Sequence, residues 1–515
     1  MSESKSGSPK ASAASASASA STSSIDDVEK SSSPVTFESH DEKDLKVQQL
    51  AESMGINHRK LMWKVDCCVV PPLALLYFLS FLDRVNASNA KVYGITKSLN
   101  LTGDQFNTCL TVFFVPYIFF ELSSNYALKF VKPHIWLSSC IFFFGCITIG
   151  MGFVKNFGQL ITCRVLLGVF EASTFCAIFY ILSNFYAKAE SQKRFSAFFS
   201  CTCLAGAAGG AIAYKINDLD GKYGIESWQW IFIIEGTFTA GLALFLYFVV
   251  PDFPENCRFL NENERSFIKQ KLAIYNGDSG FEFKYTPKEL FAVFKDPLIW
   301  LTAFAYFGLI IPSYAYAYFA PTIIAQMGYT GVEANQRSIY PWLMAFGWTI
   351  IIACISDKLK RRLPFALLNS SIAIVGLAIV LACKHDIHAR YAGCFLAVTG
   401  LYSAMPSLIC WSSLNYGGHL RKAVGTSWQV GFGNIGGIIA TYLFLSKDAP
   451  YFVTGLSVSI AFVVFAMIFM VILFIYYYKE NQKKLTYEYQ QKFESLTPRE
   501  KAIWGDKGPY VPYLY

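Results

Sequence analysis

Apolar residues recur along this chain in twelve runs, each about 19 to 27 residues long and separated by polar stretches. A helix of about 20 apolar residues is long enough to cross the hydrocarbon core of a bilayer. The runs, numbered here as spans 1 to 12, cover residues 69–90, 105–127, 135–154, 160–186, 195–215, 229–251, 298–322, 338–356, 364–383, 390–413, 423–445 and 453–478. The pattern therefore predicts an all-α membrane protein with twelve transmembrane helices.

A polar stretch over residues 252–297 divides the spans into two sets of six. Its Asn261-Glu262-Asn263-Glu264 segment combines an N-cap residue with an acidic residue three positions later, which predicts the start of a short charged helix. The chain begins with a Ser/Ala-rich and then charged segment that has few apolar side chains to bury, so we predict disorder there. The predicted units are this disordered tail (1–58), a six-helix bundle (59–251), a linker (252–297), a second six-helix bundle (298–478) and a polar tail (479–515).

The two halves of the chain repeat one another. Span 5 carries Gly206 and Gly210, and span 11, six spans later, carries Gly433 and Gly437 at the same spacing. Small residues four positions apart let two helices approach closely. Repeats of this kind are common in secondary transporters, whose solute site lies near the middle of the membrane between the repeats. We therefore expect two related bundles with a site between them.

The composition excludes several other classes of protein. Hydrophobic residues make up 54% of the 515 residues, charged residues 16%, and the mean hydropathy is +0.36, which is too apolar for a soluble enzyme. The net charge of +8 forms no basic stripe, so we do not expect nucleic-acid binding. The 14 cysteines lack a metal-ligand spacing, and no catalytic nucleophile or nucleotide motif appears. We predict no enzymatic activity, no metal and no cofactor.

Lysine and arginine residues favour one orientation in the membrane. The loops after spans 2, 4, 8 and 10 hold clusters of them, including Lys132, Arg194, Arg361 and Arg421, whereas the basic residues of the alternate loops lie among acidic ones. Cytoplasmic loops of membrane proteins carry the excess of Lys and Arg. Both termini are therefore predicted in the cytosol. We expect the plasma membrane as the location, with the endoplasmic reticulum or vacuole as alternatives, and a monomer as the assembly.

Span 4 contains two charges within its apolar run, Arg164 and Glu171. Seven residues bring them to nearly the same face of one helix, about 10 Å apart along its axis, with Gly168 between them. Such charges usually face a bundle interior or a water-filled path, because inserting one into the bilayer costs about 2.5–3.5 kcal/mol. One hypothesis is that Arg164 binds an anion beside Glu171, which takes up a proton. The alternative is a structural ion pair completed by other helices.

Other polar and aromatic side chains within the spans are further candidates. Asp83 and Arg84 in span 1 are predicted to attract or gate an anion, or else to reach the membrane interface. Glu121 in span 2 is predicted to form part of a gate or an ion pair, and Glu235 in span 6 to carry a proton or to pack. Candidate substrate-binding side chains, each of which can instead be a packing residue, are Tyr314 and Tyr318 in span 7, Trp411 and Asn415 in span 10 and Gln429 in span 11.

Short motifs along the chain carry a family resemblance. They are Leu82-Asp83-Arg84-Val85-Asn86 in span 1, Phe120-Glu121 in span 2, Arg164 to Ala172 in span 4, Leu204 to Gly210 in span 5, Trp228 to Gly236 in span 6 and Ser356-Asp357-Lys358 after span 8. With these motifs in order, the sequence from about Leu61 to Lys484 resembles the major facilitator superfamily, and within it the fungal anion:cation symporters related to allantoate and nicotinate permeases. The segment from Gln105 to Phe114 is most similar to nicotinate permeases of yeasts.

The resemblance implies a major facilitator fold and proton-coupled uptake of a small organic anion, with nicotinate or a related carboxylate as the leading substrate. The implied partners are this anion, protons and the lipid bilayer, and Asp357 and Arg361 are implied to act in a gate. The alternatives are a symporter for allantoate, ureidosuccinate, pantothenate, biotin, a sulfonate or cysteine, or a nutrient sensor with the same fold. The chain departs from the family at Ser123, Ser173 and Cys176, where helix-bending proline or glycine is common.

Overall fold

The computed structural model describes residues 40–102, 104–127, 130–186, 190–276, 291–359, 361–417, 419–445, 448–496, 507–509 and 513–514. Every regular element within these ranges is helical. Most of the predicted N-terminal tail, up to residue 39, lies outside the described residues, as do residues 277–290 of the predicted linker and much of the C-terminal tail.

The helices follow the order of the twelve predicted spans. Spans 1 to 6 are His58–Val92, Gln105–Ala127, Pro133–Met151, the pair Phe157–Glu171 and Thr174–Phe185, Ser191–Ile216 and Ser227–Val249. Spans 7 to 12 are Pro297–Ala325, Gly331–Leu359, Leu363–Ala382, Ile387–Asn415, His419–Ala440 and Val453–Lys484. Among the shorter α-helices, the structure describes His40–Ser53, Ile95–Ser98, the linker helix Glu262–Asn276 and Tyr487–Glu494 over their full length.

Nine helices in the described part of the chain are long and apolar enough to cross a membrane by themselves. They are the helices of spans 1, 3, 5 to 10 and 12. The other predicted spans correspond to the helices of spans 2 and 11 and to the helix pair of span 4. The architecture is therefore a bundle of membrane-spanning helices in the predicted order.

Span 4 differs from the single helix predicted over residues 160–186. Its first helix ends at Glu171 and the second begins three residues later, although Ala172 and Ser173 keep backbone angles in the right-handed helical region. The Ser173 hydroxyl donates to the carbonyl of Phe170 at 3.2 Å, a local bond that competes with the helical ladder. The prediction of one continuous helix is wrong at this point, and Glu171 lies at the end of a helix.

Glycines let the two bundles pack closely. A Cβ atom added to Gly206 of span 5 would lie 2.5 Å from Cδ2 of Trp342 in span 8, and one added to Gly210 would crowd the same helix. In the other half, a Cβ atom added to Gly437 of span 11 would overlap the ring of Phe114 in span 2. Gly206 and Gly210 therefore lie where spans 5 and 8 meet across the bundle interface. Gly437 lies where spans 2 and 11 meet across it.

The start of span 1, the linker helix and the end of span 12 lie at one end of the molecule, called here the terminal face. Lys64 in span 1 forms an ion pair with Glu264 of the linker helix at 2.8 Å, and Lys271 of that helix forms one with Glu190 before span 5, also at 2.8 Å. Nζ of Lys271 also lies 3.1 Å from Nε2 of His58 at the start of span 1. These contacts attach the linker helix to the first bundle.

Two residues of the C-terminal tail pack against spans 10 and 12 at the terminal face. The Asn481 side chain exchanges hydrogen bonds with the backbone N–H and C=O of Tyr513 at 2.8 and 2.9 Å. Asn415 does the same with Leu514 at 2.7 and 3.0 Å, and Trp411 Nε1 donates to the Leu514 carbonyl at 2.9 Å. The tail thus links the ends of both spans through its own backbone.

We expect deletion of residues 513–515 to lower the melting temperature of the purified protein by about 3 °C or more. The deletion removes five hydrogen bonds, each of which contributes about 0.5–1.5 kcal/mol to stability. Thermal unfolding followed by intrinsic fluorescence measures the change. Tyr487→Ala, at an exposed residue of the helix Tyr487–Glu494, is the control and should have the melting temperature of the wild-type protein. A deletion protein with the wild-type melting temperature would contradict this prediction.

Candidate functional site

Arg84 of span 1 and Glu171 of span 4 form a buried ion pair in the centre of the molecule. Nε and Nη2 of Arg84 both lie 2.6 Å from Oε1 of Glu171, and Ser80, one turn earlier in span 1, donates to the same oxygen at 2.6 Å. Arg84 is 3% exposed and Glu171 is 0% exposed. Oε2 of Glu171 has no hydrogen-bond partner among the described residues. The guanidinium is therefore a carboxylate-binding group that holds a carboxylate of the protein itself.

Aromatic rings surround the Arg84 guanidinium. Its Cζ atom lies 5.2 Å from the ring centre of Tyr117, 5.3 Å from that of Tyr314 and 5.5 Å from that of Phe113. The ring of Tyr318 lies 6.2 Å from that of Tyr314. Rings beside a guanidinium stabilise its charge and also offer flat apolar walls. The surroundings of Arg84 therefore suit a planar anion.

A chain of hydrogen bonds connects Arg84 with the second bundle. Arg84 Nη1 donates to the Tyr314 hydroxyl at 2.5 Å, which donates to Oδ1 of Asn434 at 2.9 Å. Asn434 Nδ2 in turn donates to Oε2 of Glu121 at 3.2 Å. Tyr314 and Asn434 belong to spans 7 and 11, whereas Arg84 and Glu121 belong to spans 1 and 2. The chain thus crosses the interface between the bundles twice, with a cation at one end and a carboxyl group at the other.

Asp83 belongs to a second charged group, inside the first bundle. Its Oδ2 atom lies 3.5 Å from Nη1 of Arg164, and its Oδ1 atom accepts a hydrogen bond from Thr148 at 3.3 Å. Glu235 of span 6 is buried nearby, and neither of its carboxyl oxygens has a hydrogen-bond partner in the part of the chain that the structure describes. A buried carboxylate without a partner is costly in its charged form. The Glu235 side chain is therefore suited to carry a proton.

Arg164 and Glu171 do not face one shared position. Arg164 contacts Asp83 and Glu171 contacts Arg84, because adjacent residues of span 1 point about 100° apart. Each charge of span 4 thus has its own partner on span 1. In this structure the guanidinium at the bundle interface is that of Arg84, and the hypothesis that an anion lies between Arg164 and Glu171 stays a prediction.

Side-chain contacts close the face opposite the terminal face. The hydroxyl oxygens of Thr111 in span 2 and Thr441 at the end of span 11 lie 2.7 Å apart. Nζ of Lys91, at the end of span 1, lies 5.1 Å from the ring centre of Phe106 and 5.0 Å from that of Phe319 in span 7. Residues of the first bundle therefore meet residues of the second on this side of Arg84.

Toward the terminal face, spans 4 and 5 meet spans 10 and 11 around a small cavity. Its volume is about 20 Å³, enough for about one water molecule. Tyr186 and Arg194 of the first bundle and Cys410 and Lys422 of the second line it. The central charges are therefore enclosed on both sides in this structure.

Three of the residues predicted to bind substrate lie apart from the central cluster. Trp411 and Asn415 hydrogen-bond the backbone of Leu514, so their polar atoms face the C-terminal tail. Gln429 is buried between spans 10 and 11, where its Nε2 atom donates to Ser412 at 3.2 Å. Amide and indole groups bind a peptide backbone as readily as a solute, and substrate binding by Trp411, Asn415 and Gln429 stays a prediction.

The residues predicted to gate divide between two places. Asp357 lies 3.7 Å from Arg362 (Oδ1 to Nη2) at the terminal face, where Arg361 is exposed. Glu121 instead hydrogen-bonds Asn434 across the bundle interface. Asp83 and Arg84 are buried among charges, so neither reaches the membrane interface.

The sequence pattern alone does not single out Ser80, Tyr117 or Thr148. Ser80 lies one turn before Arg84, and Tyr117 lies one turn before Glu121. A polar side chain four residues from a buried charge shares its helix face, and this spacing is the signal that could have identified both. Thr148 has no charged residue near it in the sequence. Its contact with Asp83 of span 1 depends on tertiary packing, so no local pattern indicates it.

Comparison with known proteins places these features in a family. The model of the Major Facilitator Superfamily matches residues 73–441. The high-affinity nicotinic acid transporter of Saccharomyces cerevisiae is 33% identical over 462 residues, which cover 89% of this chain and 85% of that protein. The major facilitator-type transporter hxnP of Emericella nidulans is 29% identical over 409 residues, which cover 77% and 81%. The solved structure of the proton:xylose symporter XylE aligns with a TM-score of 0.64 at 12% identity, over 79% of this chain and 96% of that one.

These likenesses confirm the family and the fold that the motifs predict. The family match extends from span 1 to the end of span 11 and so covers both bundles. The relatives and the structural neighbour are membrane transporters and not enzymes. The chain therefore belongs to the major facilitator superfamily, as a multi-pass membrane transporter.

Proposed function

We propose that the protein imports a small organic anion, with nicotinate as the leading candidate, together with protons. The observation that carries the proposal is the buried ion pair of Arg84 and Glu171, which contacts the second bundle through Tyr314. A guanidinium binds carboxylates through parallel N–H bonds, and it does so most strongly away from water. In this proposal the carboxylate of the substrate takes the place of Glu171 on Arg84.

Displacement of Glu171 would link substrate binding to the uptake of a proton. Once released from Arg84, the Glu171 carboxylate would be left in a buried site, where its protonated form is favoured. One anion would then enter with one proton, and this step would move no net charge. That matters because moving an anion into a negative interior costs about 2.3 kcal/mol per 100 mV.

Glu235 is the candidate carrier of a second proton. It is buried near Asp83, which contacts Arg164, and it lies away from the Arg84 cluster. A second proton would give the loaded carrier a net positive charge. The membrane potential would then drive accumulation of the anion inside the cell.

Alternating access requires the two bundles to separate at one face at a time. The contacts of Lys91 and of Thr111 with the second bundle would break when the face opposite the terminal face opens. The small cavity near Tyr186 would widen when the terminal face opens. We propose that the terminal face lies in the cytosol, because the spans that end at this face are those followed by the loops rich in Lys and Arg. We propose the plasma membrane as the location, because import from outside the cell takes place there.

Two observations favour nicotinate among the substrates of the family. The rings of Phe113, Tyr117 and Tyr314 around Arg84 suit a flat aromatic acid. The Saccharomyces cerevisiae relative that is 33% identical over 462 residues is a high-affinity nicotinic acid transporter. A planar pyridine carboxylate is therefore the first compound to test.

Uptake of radiolabelled nicotinate by cells that lack their own nicotinate transport tests the proposal. We expect cells that produce the protein to accumulate nicotinate, faster at acid than at neutral external pH, and to lose about tenfold or more of the accumulation with a protonophore. Cells with the empty vector are the control. Uptake that is indifferent to the protonophore would refute proton coupling. If nicotinate is not taken up, a screen of allantoate, pantothenate, biotin, sulfonates and cysteine identifies the substrate.

A further inference from the structure

We infer that Glu121 and Asn434 recognise a second part of the substrate, so that the site selects carboxylates whose ring also carries an N–H donor on an edge away from the carboxylate. The inference rests on the proposed function, in which Arg84 binds the carboxylate. It gives Glu121 a role in specificity instead of the gating role predicted from its place in span 2.

Glu121 faces the second bundle from within the interface. It is 1% exposed, and its Oε2 atom accepts a hydrogen bond from Asn434 at 3.2 Å. A Cβ atom added to Gly431, on the neighbouring turn of span 11, would lie 3.4 Å from the same oxygen. Because Gly431 has no side chain, span 11 can lie directly against the carboxyl group. Glu121 is therefore part of the central site and not of the terminal face.

The hydrogen-bond chain has opposite polarity at its two ends. Arg84 donates at one end and Glu121 accepts at the other, and Tyr314 and Asn434 pass the bonds in one direction. A ligand that replaces part of this chain must follow the same order, so it must accept from Arg84 and donate toward Glu121 or the Asn434 carbonyl. A carboxylate that carries an N–H group on its far edge meets both requirements.

Rings occupy the space between the two ends of the chain. Tyr117 lies 5.2 Å from the guanidinium of Arg84 and one helical turn from Glu121. The ring of Tyr314 lies 5.3 Å from that of Phe114. Such walls favour flat ligands but distinguish poorly among them, so discrimination falls to the few polar groups. Arg84 and Glu121 supply those groups at opposite ends.

Benzoate and nicotinate form a matched pair of probes for this inference. Both are flat aromatic carboxylates of the same size, but nicotinate with a protonated ring nitrogen also carries a pyridinium N–H. This ring proton enters in addition to the proton that Glu171 takes up. A buried site whose polar groups accept a hydrogen bond from the ligand strongly rejects an analogue that lacks the donor, because those polar groups are left unpaired. It rejects a small change in the apolar shape of the ligand much less strongly. Glu121 would therefore favour nicotinate over benzoate.

Competition against labelled nicotinate measures this preference. At acid external pH, we expect half inhibition of wild-type uptake to need about tenfold more benzoate than unlabelled nicotinate, or a still larger excess. Glu121→Gln keeps the shape of the side chain but removes its charge, and we expect the ratio to fall to within about threefold through weaker binding of nicotinate. Asn434→Ser should reduce the ratio in the same direction. Glu255→Gln, at an exposed residue of the terminal face, is the control and should keep the wild-type ratio.

Ligand binding to the purified protein tests variants that bind nicotinate but do not transport it. The rise in melting temperature with nicotinate and with benzoate compares the two affinities without a proton gradient. Equal potency of benzoate and nicotinate on the wild-type protein, or an unchanged ratio in Glu121→Gln, overturns the inference. Neither result affects the proposed function, which fails instead if the protein shows no proton-driven uptake of nicotinate or of another carboxylate.

Discussion

Arg84→Lys is expected to reduce nicotinate uptake by about 100-fold or more. Lysine keeps the positive charge but replaces the planar fork with one ammonium group, so it cannot hold a carboxylate and Tyr314 in the present geometry. It also loses the contacts between the guanidinium and the rings of Phe113 and Tyr117. The expected loss corresponds to about 3 kcal/mol of binding at the bundle interface.

Initial rates of labelled nicotinate uptake, normalised to the amount of protein in the membrane, measure this effect. Arg258→Lys, at an exposed residue between span 6 and the linker helix, is the control for the substitution itself. Arg164→Lys is the informative comparison, and we expect a smaller loss because Arg164 contacts Asp83 and not the central cluster. Normal uptake by Arg84→Lys together with loss in Arg164→Lys would return the anion-binding role to Arg164.

Glu171→Gln is expected to abolish accumulation against a gradient while nicotinate exchange continues. Glutamine keeps the size of the side chain and a carbonyl that can accept from Ser80 and Arg84, but it cannot take up a proton. Loss of one coupled proton lowers the accumulation ratio by roughly 50-fold at 100 mV, since one charge is worth about 2.3 kcal/mol at that potential.

Net uptake and counterflow in the same vesicles separate coupling from binding. Counterflow exchanges internal unlabelled nicotinate for external label and needs no proton gradient, so Glu171→Gln should retain it. Glu255→Gln, at an exposed residue outside the membrane spans, should behave like the wild-type protein in both assays. If Glu171→Gln still accumulates nicotinate and Glu235→Gln does not, the coupling carboxyl group is that of Glu235.

The order of the membrane spans could be predicted from the sequence because a membrane span is a local property, whereas the break of span 4 after Glu171 could not. The partner of a buried charge is not local, since it depends on how each helix is rotated in the bundle. Asp83 and Arg84 are adjacent in span 1, yet one contacts Arg164 and the other Glu171. Spans that are apolar on all sides give no hydrophobic face from which such rotations can be read.

Trp411 and Asn415 illustrate a second limit of prediction from sequence. An indole and an amide one turn apart suit a solute site, and the same groups suit a peptide backbone. Their partner, Leu514, follows Asn415 by 99 residues. The tail that contains it shows no periodic apolar pattern, so nothing in the sequence indicates that it packs against span 10. By contrast, the sequence singles out Tyr314 and Arg84 as candidates, because each is a polar side chain inside an apolar run.

The anchored positions of Tyr513 and Leu514 affect where a reporter can be attached. A fluorescent protein or affinity peptide joined behind residue 515 is separated by one residue from Leu514, whose backbone binds Asn415 and Trp411. Its bulk would act directly on the ends of spans 10 and 12, and rates measured with such a fusion would include that disturbance. A reporter joined at the N-terminus, before residue 40, leaves these contacts intact and is the better choice for kinetic work.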